Sequence, residues 1–375
     1  MNNARDRVVQ LVGRGWDQVK GSLYRNAIFI MLTSVISSGL GFFFWLVIGN
    51  AYDKNDVGSA IVLFQTLGFI GTLGSLGIGV GLIRYLPETK DQTALVNAGL
   101  TISGVVTLVL GLAFLALLPL VLPNLAFGVS VVVLGVWLLP RAVPGYHPRP
   151  EFRFERVRPI LRFSLGNYVA IVISAAGSLL PTPLIYDVLG PIQGPPNAAY
   201  FYIALIVASL LYIIPGSAFT SFYAEASQKN MDRRRGERDA TLLSVGLLIP
   251  AIAAMWFFSG PMLRLFGDPA YADQAVTPLR ILSFASIPVF INGILGTRVR
   301  VRKRTLPLIV SATIATVITL GLGFVLLQNP DLGIDGLAYA YVLGQVAATP
   351  YLYYEAREAF DAVPQEPLLG QPPLE

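Results

Sequence analysis

Cysteine is absent from this 375-residue chain, and histidine occurs once, as His147. The first absence excludes a disulfide framework, thiolate metal sites and a cysteine nucleophile, while leaving the redox compartment open. The second leaves no multi-histidine metal centre and no Ser-His-Asp triad with a residue to spare. No GxxxxGK(S/T) phosphate loop occurs either, so nothing points to a cofactor. Charge is scarce: 13% of residues are charged, against about 25% in a soluble domain. Hydrophobic residues make up 54%, so lipid is the main solvent for the chain.

Two uninterrupted apolar runs, Ala27–Gly49 and Val57–Ile83, flank the short polar turn AYDKND. About 20 apolar residues cross the hydrocarbon layer as a helix, so this stretch reads as a transmembrane hairpin. Its second helix carries Gly68, Gly71, Gly74, Gly77 and Gly81, close to one face by their steps of three and four. Such a face suits close helix packing or the wall of a cavity, and packing is the simpler account. Eight more spans follow, near Leu95–Leu118, Leu122–Pro140, Ile160–Asp187, Ala198–Phe222, Ala240–Gly260, Thr277–Thr297, Leu306–Leu327 and Asp335–Tyr354. Residues 1–24, with Val8, Val12, Trp16, Val19 and Leu23 in helical steps beside Arg7, Arg14 and Lys20, read as an amphipathic helix on the membrane surface. The proline-rich tail 356–375 reads as disordered.

The distribution of cations explains the net charge of +5 without a nucleic-acid partner. With both termini cytoplasmic, alternate loops hold 24 of the 27 Lys and Arg residues, Lys54, Arg264 and Arg280 being the exceptions. A weak internal repeat accompanies this alternation. Arg25 precedes Tyr85 by 60 residues and Arg162 precedes Tyr223 by 61, each interval holding two long apolar helices and an outside turn with an aspartate, Asp53 or Asp187. The basic connector 141–159 divides a lobe at 25–140 from one at 160–355, four spans and six. Two related halves with a path between them are a common transporter plan.

The segments RNAIFIMLTSVISSGLGFFFWLVIGNAYDKNDVGSA, LGSLGIGVGLIRYLPE, LRFSLGNYVA, AAYFYIALIVASLLYIIPGSAFTSFYAEAS, MLRLFGDPAYA, LRILSFASIPVFINGIL and GIDGLAYAY together resemble the polysaccharide-unit flippases. These belong to the multidrug/oligosaccharidyl-lipid/polysaccharide exporter superfamily. The resemblance implies an all-α, polytopic protein of the cell membrane that is not an enzyme. It would move a polyprenol-linked oligosaccharide by alternating access, alongside glycan polymerase or glycosyltransferase machinery, for surface polysaccharide or glycoprotein synthesis. Such flippases usually have two six-helix lobes, so the 4 + 6 arrangement here lacks one helix pair. An ion-coupled drug antiporter of the same superfamily is the alternative, and a membrane-embedded glycan-processing enzyme a more distant one. The antiporter is disfavoured because no Asp or Glu falls near the middle of a span.

Candidate substrate-binding residues follow from chemistry and position. Arg25, Arg84 and Arg162 sit at cytoplasmic helix ends, where guanidinium forks suit a pyrophosphate. Asn26 and Asn167 stand close to two of them and suit sugar hydroxyls. The simpler accounts are interfacial anchoring for the arginines and interhelical hydrogen bonding for the asparagines.

Overall fold

A computed structural model describes residues 22–79, 82, 89, 91–117, 154–226, 233–301 and 304–361. These residues form nine helices: α1 (Ser22–Ala51), α2 (Lys54–Gly74), α3 (Gln92–Leu117), α4 (Phe154–Leu179), α5 (Pro181–Ala226), α6 (Arg233–Arg264), α7 (Pro269–Val301), α8 (Leu306–Leu327) and α9 (Gly333–Asp361). No strand occurs among them. Seven segments are long and apolar enough to cross a membrane, one of which, Leu165–Phe219, takes in most of both α4 and α5. The protein is an all-α, multi-pass membrane protein. Large apolar side chains such as Leu40, Phe43, Phe44 and Val47 on α1, and Ile249, Phe257 and Phe258 on α6, are exposed, as lipid-facing surfaces require. The expected span Leu122–Pro140 lies outside the described residues.

The hub is α5. Its small-residue stretch buries Ala198, Ala199, Ala204 and Ala208 beside Phe201 and Ile203, so neighbouring backbones approach closely. Around it gather Trp45 of α1, Val57 and Ile61 of α2, Leu248 and Leu263 of α6, Leu279 and Leu282 of α7, and Leu337 of α9. Helices α4, α7, α8 and α9 form the adjoining group, with α8 against α9 its largest contact.

Four sequence expectations are corrected. First, α1 and α2 do not pair as a hairpin. They barely touch, and each packs instead on α5, because the buried faces of both, Trp45 on one and Val57 and Ile61 on the other, meet α5 side chains. Second, the apolar run to Ile83 is not one helix: α2 stops at Gly74, and Leu76 and Gly77 take positive φ values of 50° and 65°. Third, the expected span Ile160–Asp187 is not one straight helix, and the turn expected after Asp187 narrows to a single glycine with helix on both sides. The chain bends at Leu180 and turns at Gly190, whose φ of 73° favours glycine. Prolines 191, 195 and 196 then follow inside α5. Fourth, α9 runs to Asp361, past the expected start of the disordered tail. Fully buried Ala356 and an Arg304–Glu355 ion pair at 2.9 Å hold that last stretch down. At the other end, α1 begins at Ser22, inside the segment expected to lie on the membrane surface, whose residues 1–21 are outside the described set.

The repeat has a crosswise packing. With α1 matched to α4 and α2 to α5, the α1–α5 and α2–α4 contacts are counterparts, and the α2–α5 contact joins equivalent helices. The opening helices of the two halves therefore face each other's partners and not one another. Three ion pairs each join ends that the sequence expectation puts on one side of the membrane. Lys54 meets Asp268 at 3.0 Å at the expected outer ends, while Arg298 meets Glu237, and Arg304 meets Glu355, at the expected inner ends.

Candidate functional site

The broken end of α2 is the first feature where tertiary contacts replace a local rule. An uninterrupted helix would pair the Leu73 carbonyl with the Gly77 N–H and the Gly74 carbonyl with the Ile78 N–H. Here the Ile78 N–H donates to the Ser75 carbonyl at 3.1 Å and the Gly77 N–H points to Ser75 Oγ. The two freed carbonyls are each capped by another helix. Tyr168 Oη of α4 donates to Leu73 O at 2.5 Å and Ser103 Oγ of α3 to Gly74 O at 3.2 Å. Leaving a buried carbonyl unpaired costs about 1–3 kcal/mol. Tyr168→Phe should lower stability by that amount, read as an earlier midpoint in thermal unfolding in detergent, whereas an unchanged midpoint would show that the cap adds nothing.

The glycine stripe divides. A Cβ on Gly74 would lie 2.0 Å from Thr107 Oγ1 and 2.6 Å from Thr107 Cα, so this glycine lets α2 and α3 touch. Gly68 would make ordinary contact with Leu179, and Gly71 faces open space. Gly77 belongs to the break and Gly81 lies outside the described residues. The tightest approach is at Gly58, whose Cβ would stand 1.7 Å from the Pro195 carbonyl oxygen. It precedes the stripe, and the spacing rule passed over it.

The arginine cluster cannot be assembled from the described side chains. Arg84 lies outside the described residues, as do the side chains of Arg25, Asn26 and Arg162, although α1 and α4 carry those last three. Asn167 is half-buried on α4, beside Gly166 where α4 meets Thr305 at the start of α8. Toward the expected outer end lies another cation. Arg280 of α7 donates to Ser259 Oγ at 3.2 Å and its guanidinium lies 4.9 Å from the Trp256 ring centre. Every described Asp and Glu lies near a helix end or, as Asp187 does, near the Gly190 turn.

A cavity of about 340 Å³ opens between α4, α7, α8 and α9. Its wall carries Ser174, Ser178, Asn292, Thr316, Thr319 and Gln345, with Arg300, Leu308 and Leu352 toward the inner end. Asn292 Nδ2 donates to the Gln345 carbonyl at 2.9 Å, and Thr349 Oγ1 donates to Asn292 Oδ1 at 2.9 Å, which ties α7 to α9. Asn292 and Gln345 are 53 residues apart in sequence. Only the folding of α7 against α9 makes them neighbours.

The MatE family model matches residues 234–325, the length of α6, α7 and most of α8. The lipid II flippase MurJ, in an inward closed conformation, superposes with a TM-score of 0.64 at 13% identity, over 88% of this chain and 87% of that one. The protein has the fold of the MOP-superfamily transporters. An outward-facing multidrug resistance MATE family transporter of that superfamily gives a TM-score of 0.56 at 14% identity, over 91% of this chain and 96% of that one. A MOP-superfamily transporter from Pyrococcus furiosus gives 0.55 at 13% identity, over 90% and 95%. No curated protein matches in sequence. The chain covers 87–96% of the lengths of these three transporters.

Proposed function

We propose that the protein is a flippase that carries a polyprenol-linked oligosaccharide from the cytoplasmic to the outer leaflet of the cell membrane, with both termini cytoplasmic. The observation that carries this reading is electrostatic. Among the described residues no carboxylate stands in the middle of a crossing helix, and the polar cavity is lined by hydroxyls and amides with an arginine at its inner end. A site for a cationic drug or a coupling cation would present a buried acid, whereas hydroxyls and amides suit a glycan and arginine suits its phosphate. The fold shared with a lipid II flippase supports a lipid-linked substrate. Transport proceeds by rocking of the two halves around α2 and α5. The lipid tail stays in the bilayer while the polar head crosses, and membrane lipids surround the exposed apolar belt. With no nucleotide loop, the driving force is an ion gradient, the membrane potential or consumption of the product by glycan polymerase or glycosyltransferase partners.

Arg25, Arg84 and Arg162 enter this reading as the cytoplasmic phosphate contacts, with Asn26 and Asn167 contacting the adjoining sugar. Purified protein in liposomes should flip a fluorescent polyprenyl-pyrophosphate disaccharide at least tenfold faster than protein-free liposomes. Arg→Lys at the three positions should slow flipping moderately and Arg→Ala strongly, because lysine keeps the charge and loses the bidentate fork. Flipping at the protein-free rate, together with uptake of a cationic dye, would replace this reading with the antiporter. Full activity of the triple alanine variant would remove the arginines from it.

A further inference from the structure

We infer that the cavity between α4, α7, α8 and α9 is a binding site for an acidic sugar unit, its ring held among the hydroxyls and amides and its phosphate or carboxylate at Arg300. The inference rests on the glycan reading above and places one unit of that substrate within the second half of the molecule, apart from Arg25, Arg84 and Arg162.

The cavity's size fits this cargo. At about 340 Å³ it lies at the small end of the roughly 300–1,000 Å³ of small-molecule sites, room for a sugar ring with its phosphate and not for a whole glycan. The lining fits as well. Thr316 Oγ1 already donates to the Ile173 carbonyl at 2.8 Å, and Ser178 Oγ donates to the Ser174 and Ala175 carbonyls at 3.2 Å. Those hydroxyls have used their protons on backbone and offer lone pairs to the cavity. The Gln345 side-chain oxygen faces Asn292 Nδ2 at 3.3 Å, so its amide nitrogen is turned to other acceptors. The wall therefore mixes many acceptors with few donors, which matches the many O–H donors of a sugar. An ammonium ion would also suit acceptors, but no carboxylate stands among the described residues of the wall to balance its charge.

The natural absence of cysteine makes the test direct. Ser178→Cys places the chain's single thiol on the cavity wall, and its rate of modification by a polar maleimide is followed on the purified, full-length protein in detergent. Glucose 1-phosphate should slow labelling at a concentration at least tenfold lower than glucose, and inorganic phosphate should not slow it. Arg300→Gln should reduce glucose 1-phosphate to the effect of glucose. Ala312→Leu, which fills the cavity, should abolish protection by both sugars in protein whose elution and unfolding midpoint match the parent. A polyprenyl-pyrophosphate disaccharide run in parallel separates the lipid-linked source, which protects at lower concentration if it is the resident ligand, from a free glycosyl phosphate. Absence of protection by all of these probes overturns the site, and protection unaffected by Arg300→Gln overturns its acidic half. Flipping by liposomes whose cavity is never protected sinks this inference alone, and protection without flipping sinks the flippase reading alone.

Discussion

A disulfide joining α1 to the turn after α6 should stop transport completely, and its reduction should restore it. A Cβ on Gly49 would lie 3.6 Å from the Phe266 Cβ, inside the roughly 3.5–4.5 Å that a disulfide requires. The pair Gly49→Cys/Phe266→Cys is therefore in register, in a protein with no other thiol. The contact belongs to a clasp across the expected outer ends of the two halves. Asn50 Nδ2 donates to the Leu265 carbonyl at 2.8 Å, Lys54 Nζ reaches Asp268 Oδ2 at 3.0 Å, and the Phe42 and Phe266 rings stack edge to face at 5.4 Å. On the proposed rocking mechanism, release to the outer leaflet requires these contacts to part. Removing the Phe266 ring costs about 3–5 kcal/mol, so the comparison is between the oxidised and reduced states of the same protein. Full transport by the cross-linked protein would show that the clasp need not open.

The ionic part of the clasp should be insensitive to mild acid. The Asp268 carboxyl is held below its usual range, first by the Ala270 N–H and then by Lys54. A depressed carboxylate contributes fully above its unfolded value and loses that contribution only as pH falls through the lowered one. Transport should therefore show no step attributable to Asp268 between about pH 5 and 8.

Gly58→Ala should cost more folded protein than any other glycine change in the first half. Its Cβ would meet the Pro195 carbonyl oxygen at 1.7 Å and carbonyl carbon at 2.5 Å. Those atoms are backbone, next to a second proline, and have no rotamer to move aside. Overpacking costs about 1–3 kcal/mol where side chains yield, so this site should reach or pass the upper end. Gly71 provides the contrast, with nothing within 4 Å of its Cβ. Gly71→Ala should be neutral or stabilise α2 by up to about 1 kcal/mol. The two variants are compared by yield of monodisperse protein and by unfolding midpoint. A Gly58→Ala protein that unfolds with the parent would show that α2 and α5 do not approach this closely.

Local composition determined the class of this protein. Apolar runs of membrane length must fold as helices because lipid offers no partner for an unpaired peptide group, and α1, α3 and α8 lie close to where those runs placed them. The alternation of Lys and Arg groups the helix ends, and the Lys54–Asp268, Arg298–Glu237 and Arg304–Glu355 pairs each join ends of one group. Tertiary structure alone decided what the helices do to one another. The break after Gly74 is invisible in the apolar string GSLGIGVG, because its cost is offset by Tyr168 and Ser103, side chains 95 and 29 residues away in sequence. Spacing selected a stripe of glycines, yet steric need is greatest at Gly58, set by a proline carbonyl in α5. Asn292 lies 53 and 57 residues from Gln345 and Thr349 in sequence, and the three become the wall and brace of a cavity only when α7 lies against α9. Helix formation follows from neighbours in sequence, whereas a close approach or a cavity depends on two distant segments meeting, and no local pattern encodes the partner.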